Sequence, residues 1–268
     1  MSKELIQQVT APNGSVFTGS GTNSYLIGRE DITLVDPGPK IDEHIEKLIK
    51  LGEGKIKRIL VTHTHRDHSP AAKVIGEILN VPLMGRLVEK DDTLQDKTFK
   101  PERFLGHGDL IETAEYTIES IHTPGHASNH LCYLLEEEKM IFTGDHIMEG
   151  STVVIGPPDG NMKQYIESLE KLKQFDISMI APGHGNLMKD PKSVVDWIVS
   201  HRMFREKKVV DALTEFSKAN LDQLVEKVYD DVDPRLLSIA KYSLQAHLIK
   251  LIEENRVVKD ELEFVWNH

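Results

Sequence analysis

The sequence lacks most features that mark secreted, membrane-spanning or disulfide-stabilised proteins. Cys132 is the single cysteine in 268 residues, which excludes an intrachain disulfide and a thiolate cluster for zinc. The opening stretch MSKELIQQVT has no apolar segment typical of a signal peptide, and no apolar run approaches the length of a membrane span. We therefore expect a soluble cytoplasmic protein without a membrane partner.

Aromatic and basic residues are also scarce. Aromatics make up 6% of the chain, within a hydrophobic content of 39% that suits an ordinary globular core. Lys and Arg number 32 against 43 Asp and Glu, which gives a formal net charge of −11. This charge argues against nonspecific nucleic-acid binding by the whole surface, although it leaves room for a local basic face. An oligomeric assembly is compatible with the sequence.

The pattern of apolar residues divides the chain into two regions. Up to about residue 190, short β-rich runs alternate with turns and amphipathic helices, one of which begins with Ser69 as a candidate cap and Pro70 at its first position. Beyond that point a long helical pattern, which we allow to be broken within, leads to two more helices and a hairpin. We predict one large mixed α and β domain over 1–200 and a winged-helix-like module over 201–268.

Three histidines and an aspartate follow directly on the apolar run IKRILV. In extended backbone, residues two apart point to the same side, so His63 and His65 can chelate one ion at the end of a strand. Asp67 and His68 come where the chain turns into the next helix and can face a neighbouring point. Such a concentration of polar groups is costly unless a cation lies between them. We predict two half-sites, each of which needs a further ligand.

Further candidates stand at later strand ends, where layered folds build their sites. His126 lies in a turn marked by proline and glycine, Asp145 follows the strand run MIFTG, and His184 lies between two glycines after ISMIAP. His122 and His130 flank the same turn, and either can face the site if strand alternation holds. We favour His126 as the ligand, because a residue in a loop can turn its side chain towards the site whichever way the neighbouring strand faces.

Other reactive side chains have simpler interpretations. Cys132 lies inside an apolar run and is predicted to be a small core residue, not a nucleophile. His146, directly after Asp145, is expected either to perturb the second metal or contact the substrate, or to have a neutral surface role. The remaining histidines are isolated and are predicted to be surface or satisfied core residues: His44, His107, His201, His247 and His268.

The ordered motifs LVDPG, THTHRDH, TPGH, TGD and PGHG resemble those of the metallo-β-lactamase superfamily over most of residues 20–185. The resemblance implies an α+β fold, a four-layer αβ/βα sandwich, with two divalent ions between its sheets. Zinc is the usual metal, with iron or manganese as alternatives. It implies one metal held by His63, His65 and His126, a second held by Asp67, His68 and His184, and Asp145 as the bridge. Asp36 is implied as a buried carboxylate near the site, or else is a turn residue.

Such a centre predicts hydrolysis by a metal-bridging hydroxide. Two divalent ions about 3.5–4 Å apart share a water and lower its pKa towards neutrality. Asp67 is the catalytic candidate, because it can orient the hydroxide and return a proton to the leaving group. Asp145 argues against a true antibiotic-hydrolysing enzyme, since those branches of the family usually lack an aspartate bridge there, but weak β-lactamase activity stays compatible.

The chain as a whole is most similar to the lactamase-β-like endoribonuclease group, through GTNSYLIG, THTHRDHS, SHRMFRE and the winged-helix-like tail, although VVIGPPDGNM departs from it. Single-stranded RNA is therefore the leading substrate candidate. Basic residues of one helix can line an RNA path or form a solvated face: Arg202, Arg205, Lys207 and Lys208.

Two other functions stay open. The first is hydrolysis of a small acyl substrate (a thioester, ester or lactone, in the manner of glyoxalase II) in a pocket capped by the C-terminal helices. The helical tail by which the glyoxalase II type binds glutathione is not recognisable here. The second is a metal-stabilised binding module, which the full set of expected ligands disfavours. In each case we expect the C-terminal segment to pack on the hydrolase domain and narrow the entrance to the metals.

Overall fold

The computed structural model describes residues 5–88 and 94–267. Within them, most strands belong to two six-stranded sheets. The strands of the first sheet, in spatial order, are β1 (Ile6–Thr10), β2 (Asn23–Ile27), β3 (Ile32–Val35), β4 (Ile56–Leu60), β5 (Leu83–Gly85) and β6 (Arg103–Phe104). Those of the second, again in spatial order, are β7 (Asp109–Glu112), β8 (Thr117–His122), β9 (Leu131–Leu135), β10 (Met140–Gly144), β11 (Met179–Pro182) and β12 (Met188–Lys189).

Four helices cover the outer faces of the two sheets: α1 (Asp42–Gly52), α2 (Pro70–Leu79), α3 (Met162–Leu172) and α4 (Pro191–Phe216). One core lies between the first sheet and α1 and α2, a second between the two sheets, and a third between the second sheet and α3 and α4. Strands β2 and β9 are buried along their whole length, which is typical of strands covered on both faces. The predicted four-layer sandwich is confirmed.

Two details of the helices differ from prediction. Helix α4 runs for 26 residues without a break, so the boundary placed after residue 200 falls inside a continuous helix. Pro70 begins α2 as predicted, but Ser69 does not cap it. The Ser69 hydroxyl donates instead to the Asp96 carboxylate at 2.8 Å, because that buried acceptor lies within reach.

The C-terminal part of the chain forms a small module with its own core. Its elements are β13 (Lys218–Asn220), α5 (Leu221–Val228), α6 (Leu237–Glu253), β14 (Val257–Asp260) and β15 (Glu263–Trp266), and its three strands form one antiparallel sheet. Ala246 of α6 belongs to the core beneath the second sheet, so the module packs on the sandwich as predicted. No helix in the described part of the chain is long and apolar enough to cross a membrane.

Candidate metal centre

The seven predicted ligands meet at one edge of the sandwich, where β4, β10 and β11 end. Their ligand atoms form two groups, and within each group all of these atoms lie within 4.8 Å of one another. The first group is His63, His65 and His126, and the second is Asp67, His68, Asp145 and His184. His63 and His65, which the spacing placed in one half-site, fall in the first group, and Asp67 and His68 fall in the second.

Two glycines let the strand ends approach this closely. Gly144 has φ +45°, and a Cβ there would lie 2.4 Å from the Thr62 hydroxyl oxygen. A Cβ on Gly183 would lie 2.7 Å from the His68 ring. A larger residue at either position would push the second sheet away from the histidine loop, which is why the TGD and PGHG motifs carry glycine there.

The first group consists of three imidazoles that face a common point. His65 Nδ1 lies 3.0 Å from His63 Nε2 and 3.0 Å from His126 Nε2. The side chains are buried or half-buried. Three imidazole nitrogens at such separations are the donor set that zinc and other first-row transition metals prefer.

Asp145 connects the first group to the second. Its Oδ1 lies 3.2 Å from both His68 Nε2 and His184 Nε2, while its Oδ2 lies 3.7 Å from His126 Nε2. Asp67 Oδ2 completes the second group, 3.2 Å from His184 Nε2. One carboxylate therefore presents an oxygen to each group, which is the arrangement that a bridging ligand requires.

Two buried ligand atoms without hydrogen-bond partners in the described part of the chain also indicate that a metal ion fits this site. His68 Nε2 and Asp145 Oδ1 are buried and have no hydrogen-bond partner among the described residues, even though they lie 3.2 Å apart. Both atoms face the same space, as an ion pair whose geometry does not meet that of a hydrogen bond. Because a buried polar atom is rarely left unsatisfied, the pair indicates that a cation belongs between them.

The other histidines stay outside the two groups. His122 Nε2 contacts the Ser128 carbonyl oxygen at 2.9 Å, and the buried His130 ring contacts the Thr123 hydroxyl through Nδ1. His146 is buried against Tyr165, with 5.1 Å between ring centroids. Four of the isolated histidines also lie apart from the groups: His44, His107, His201 and His247. The fifth, His268, lies outside the described residues.

Comparison with known proteins identifies the family. Residues 17–184, more than half of the chain, match the model of the metallo-beta-lactamase superfamily. The chain belongs to this superfamily. Residues 221–266 match the beta-lactamase associated winged helix domain, in agreement with the module formed by α5, α6 and the hairpin.

The similarity to individual relatives covers most of this chain. A beta-lactamase-like protein 2 homolog from Drosophila melanogaster is 30% identical over 91% of this chain and 87% of its own length. An atrochrysone carboxyl ACP thioesterase from Aspergillus chevalieri is 29% identical over 94% of this chain and 82% of its own. A solved metallo-beta-lactamase family protein from Thermus thermophilus has a TM-score of 0.81 at 20% identity, covering 98% of this chain and 99% of that one. The chain is a hydrolase of this fold, and its family implies divalent metal ions at the ligand groups.

Contacts behind the ligands fix the orientation of three of the histidine rings. His68 Nδ1 lies 2.9 Å from the Asp36 carboxylate, His126 Nδ1 2.8 Å from the Val154 carbonyl, and His184 Nδ1 3.0 Å from the Gly21 carbonyl. Each acceptor draws the proton to Nδ1 and leaves Nε2 with a lone pair for a metal.

Asp36 is buried beside the site, as the resemblance implied. Its carboxylate also accepts hydrogen bonds from the Thr62 backbone N–H and the Thr62 hydroxyl, both at 2.7 Å. The backbone of Asp36 has φ +46°. Thr62 was missed by sequence reasoning. The alternation in THTH could have revealed it, because Thr62 and Thr64 must point away from the face that carries His63 and His65.

The two ligand groups differ in their protonation. Burial lowers the pKa of His63 well below its usual value and, together with the His126 ring, lowers the pKa of His65 to about 3. Burial would lower the pKa of His68 and His184 too, but the Asp145 and Asp67 carboxylates outweigh it. They raise the pKa of His184 to about 10 and that of His68 well above its usual value.

This difference predicts that metal loading of the second group releases protons and that loading of the first does not. A metal binds neutral imidazole, so at pH 7 an ion in the second group must displace about two protons, from His68 and His184. Its affinity should therefore rise as the pH rises, while that of the first group stays nearly constant. Calorimetric zinc titrations in buffers of different ionisation enthalpy measure this release. The His184→Ala variant should release about one proton fewer, and equal release from both groups would contradict the assignment.

The basic residues predicted to line an RNA path bind other parts of the chain. Arg202 is 3% exposed and donates to the Val153 carbonyl, and Arg205 is 7% exposed and pairs with Asp231 at 2.6 Å. The two lysines pair with aspartates as well, Lys207 with Asp211 and Lys208 with Asp230. These arginines anchor α4 to the sandwich and to the C-terminal module. They do not form the free basic face that an RNA path requires.

Proposed function

We propose that this protein hydrolyses small acyl thioesters at a centre of two divalent ions, with zinc as the first candidate metal. One observation carries the proposal: the similarity to the fungal thioesterase extends over 94% of the chain. It therefore includes both the ligand groups and the C-terminal module that packs on the sandwich. The complete set of ligands supports a catalytic role rather than a binding module.

The chemistry of a thioester suits the groups that the site offers. Two divalent ions held by the seven ligands would polarise the acyl carbonyl and lower the pKa of a water molecule between them. Asp67 is 29% exposed, more than the other side chains of the second group, so it lies where substrate arrives. Although burial raises the pKa of Asp67, the His68 and His184 rings hold it below its usual value, so the carboxylate is ionised and can accept a hydrogen bond from a water molecule and orient it. A thiol has a pKa of only about 8.5, so its thiolate leaves with little further assistance.

RNA cleavage is the second candidate. The winged-helix domain and the sequence resemblance to the endoribonuclease group support it. The internal ion pairs of the α4 cations and the net charge of −11 weigh against it, because a polyanion needs unpaired positive charge along its path.

A substrate panel tests the proposal. The purified protein, assayed for metal content, is offered acyl thioesters, lactones, a β-lactam and single-stranded RNA. We expect thioester hydrolysis with kcat/KM at or above about 10⁴ M⁻¹ s⁻¹, which is the lower end for enzymes acting on their own substrates. The activity should disappear on chelation and return with zinc.

RNA turnover without thioester turnover would overturn the proposal. RNA binding should then weaken steeply with salt, because each phosphate contact releases counterions. The double variant Lys207→Ala with Lys208→Ala provides the matching control. It should reduce such binding only if these lysines leave their aspartates to contact RNA.

A further inference from the structure

A cleft of about 470 Å³ lies between the loop at 156–161 and helix α6, beside the ligand groups. Its size falls within the range of about 300–1,000 Å³ that is typical of small-molecule sites. The loop is the segment in which the sequence departs from the endoribonuclease group. We propose that this cleft binds the pantetheine arm of a thioester substrate. This inference rests on the proposed thioesterase function and names the carrier of the acyl group.

The cleft is connected to the first ligand group through the loop that carries His126. Ser128 lines the cleft and lies two residues after His126, and its backbone N–H donates to Asp159 Oδ2 at 2.9 Å. His126 itself donates to the Val154 carbonyl at 2.8 Å. The loop that carries a metal ligand is thus fastened at two points to the segment that forms the cleft. A long substrate lying in the cleft can place one end at the metals.

Among the described residues (5–88 and 94–267), no lysine or arginine lines the cleft, whose lining is rich in amides and carboxylates. Asp159 and Asn161 lie on the loop, Gln164 on α3, and Gln245 and Glu253 on α6. Gln245 and Glu253 are eight residues apart, so they fall on one face of their helix. Two carboxylates disfavour a phosphate in this cleft, so an RNA backbone, and equally the phosphate through which a pantetheine arm is attached to its carrier, would lie outside it. Amide side chains instead suit a neutral ligand that offers N–H, O–H and C=O groups.

One lining residue, Asp159, has a buried oxygen that lacks a hydrogen-bond donor within the part of the chain that the structure describes. Asp159 is 6% exposed, and its Oδ1 has no hydrogen-bond partner among the described residues, while its Oδ2 holds the Ser128 N–H. A buried carboxylate oxygen without a donor is an open acceptor. Pantetheine is an uncharged chain with two amide N–H groups and hydroxyl groups, and its thiol end carries the acyl group. Its amide and hydroxyl groups match the amide side chains of the lining, and a donor that reaches Asp159 would satisfy the open acceptor.

The first test measures binding of pantetheine itself by calorimetry. The wild-type protein should bind it, and Gln245→Trp, which fills the cleft from an exposed helix position, should weaken binding by about tenfold or more. Gln174→Trp makes the same change at an exposed position outside the cleft and should bind as the wild type does. Asp159→Asn keeps an oxygen for Ser128 but replaces the open acceptor with an NH₂ group, so it should also bind more weakly. Equal binding by all four proteins overturns the inference.

The second test compares two thioesters of the same acyl group, one on pantetheine and one on ethanethiol. Gln245→Trp should raise KM for the pantetheine thioester by about tenfold and leave ethanethiol thioester hydrolysis unchanged. An equal effect on both substrates overturns the cleft assignment and leaves the thioesterase proposal standing. If the wild type hydrolyses neither thioester, the proposed function fails, while the binding test still decides the cleft. Comparing acyl-coenzyme A with an acylated carrier protein then identifies which source of the arm the protein uses.

Discussion

Replacing Asp145 with alanine is expected to remove metal from the centre and abolish most of the hydrolytic activity. Its two oxygens face different ligand groups, at 3.2 Å from His68 and His184 and at 3.7 Å from His126. The substitution therefore takes a ligand from each ion and leaves the mutual repulsion of the two ions less screened. Loss of a supporting contact behind a ligand costs about 10–100-fold in metal affinity or activity. Loss of the bridge itself should exceed about a hundredfold.

Elemental analysis gives the metal content per chain, and turnover of the best thioester gives the activity. We expect Asp145→Ala to lose metal mostly from one group, and Asp145→Asn, which keeps one oxygen, to lose less. Circular dichroism should remain that of the wild type, because Asp145 lies at the edge of the sandwich and outside its three apolar cores. Two metals and normal turnover in Asp145→Ala would show that no bridge exists and that the carboxylate is only a turn residue.

The parts of the site that could be predicted from the sequence are those encoded by local spacing. His63 and His65 share a face because extended backbone places residues two apart on one side. Asp145 and His184 follow apolar strands, and strand ends of a layered fold meet at one edge. Each of these inferences needs only a strand, a turn and the direction of the chain, so they survive without knowledge of packing.

The parts that could not be predicted depend on burial and on contacts between distant segments. Arg202 and Arg205 resemble a solvated basic face in the sequence, but both are buried, because charge says nothing about the acceptors that the fold brings near. Ser69 has the residue type of a helix cap, yet the Asp96 carboxylate, 27 positions further along the chain, takes its hydroxyl. The short strands β6 and β12, of two residues each, carry too little periodicity to be recognised.

Replacing His126 with alanine is expected to empty the first ligand group, while replacing His122 with alanine leaves both groups loaded. Only His126 of this pair lies in a ligand group, with Nε2 3.0 Å from His65 Nδ1. Its loss leaves two imidazoles and the distant oxygen of Asp145, too few for a stable transition-metal site. Turnover should fall by more than about a hundredfold, as for the bridge.

His122→Ala is the matched control, because it removes the same side chain four residues away. Its ring contacts the Ser128 carbonyl oxygen, so the substitution should lower the free energy of unfolding by about 1 kcal/mol without changing metal content. Metal analysis and denaturant unfolding of both variants separate loss of a ligand from loss of loop support. If His122→Ala lost the metal and His126→Ala kept it, the third imidazole of the first group would have been assigned to the wrong residue. If both lost metal equally, the loop between them, rather than one ring, would hold the first ion in place.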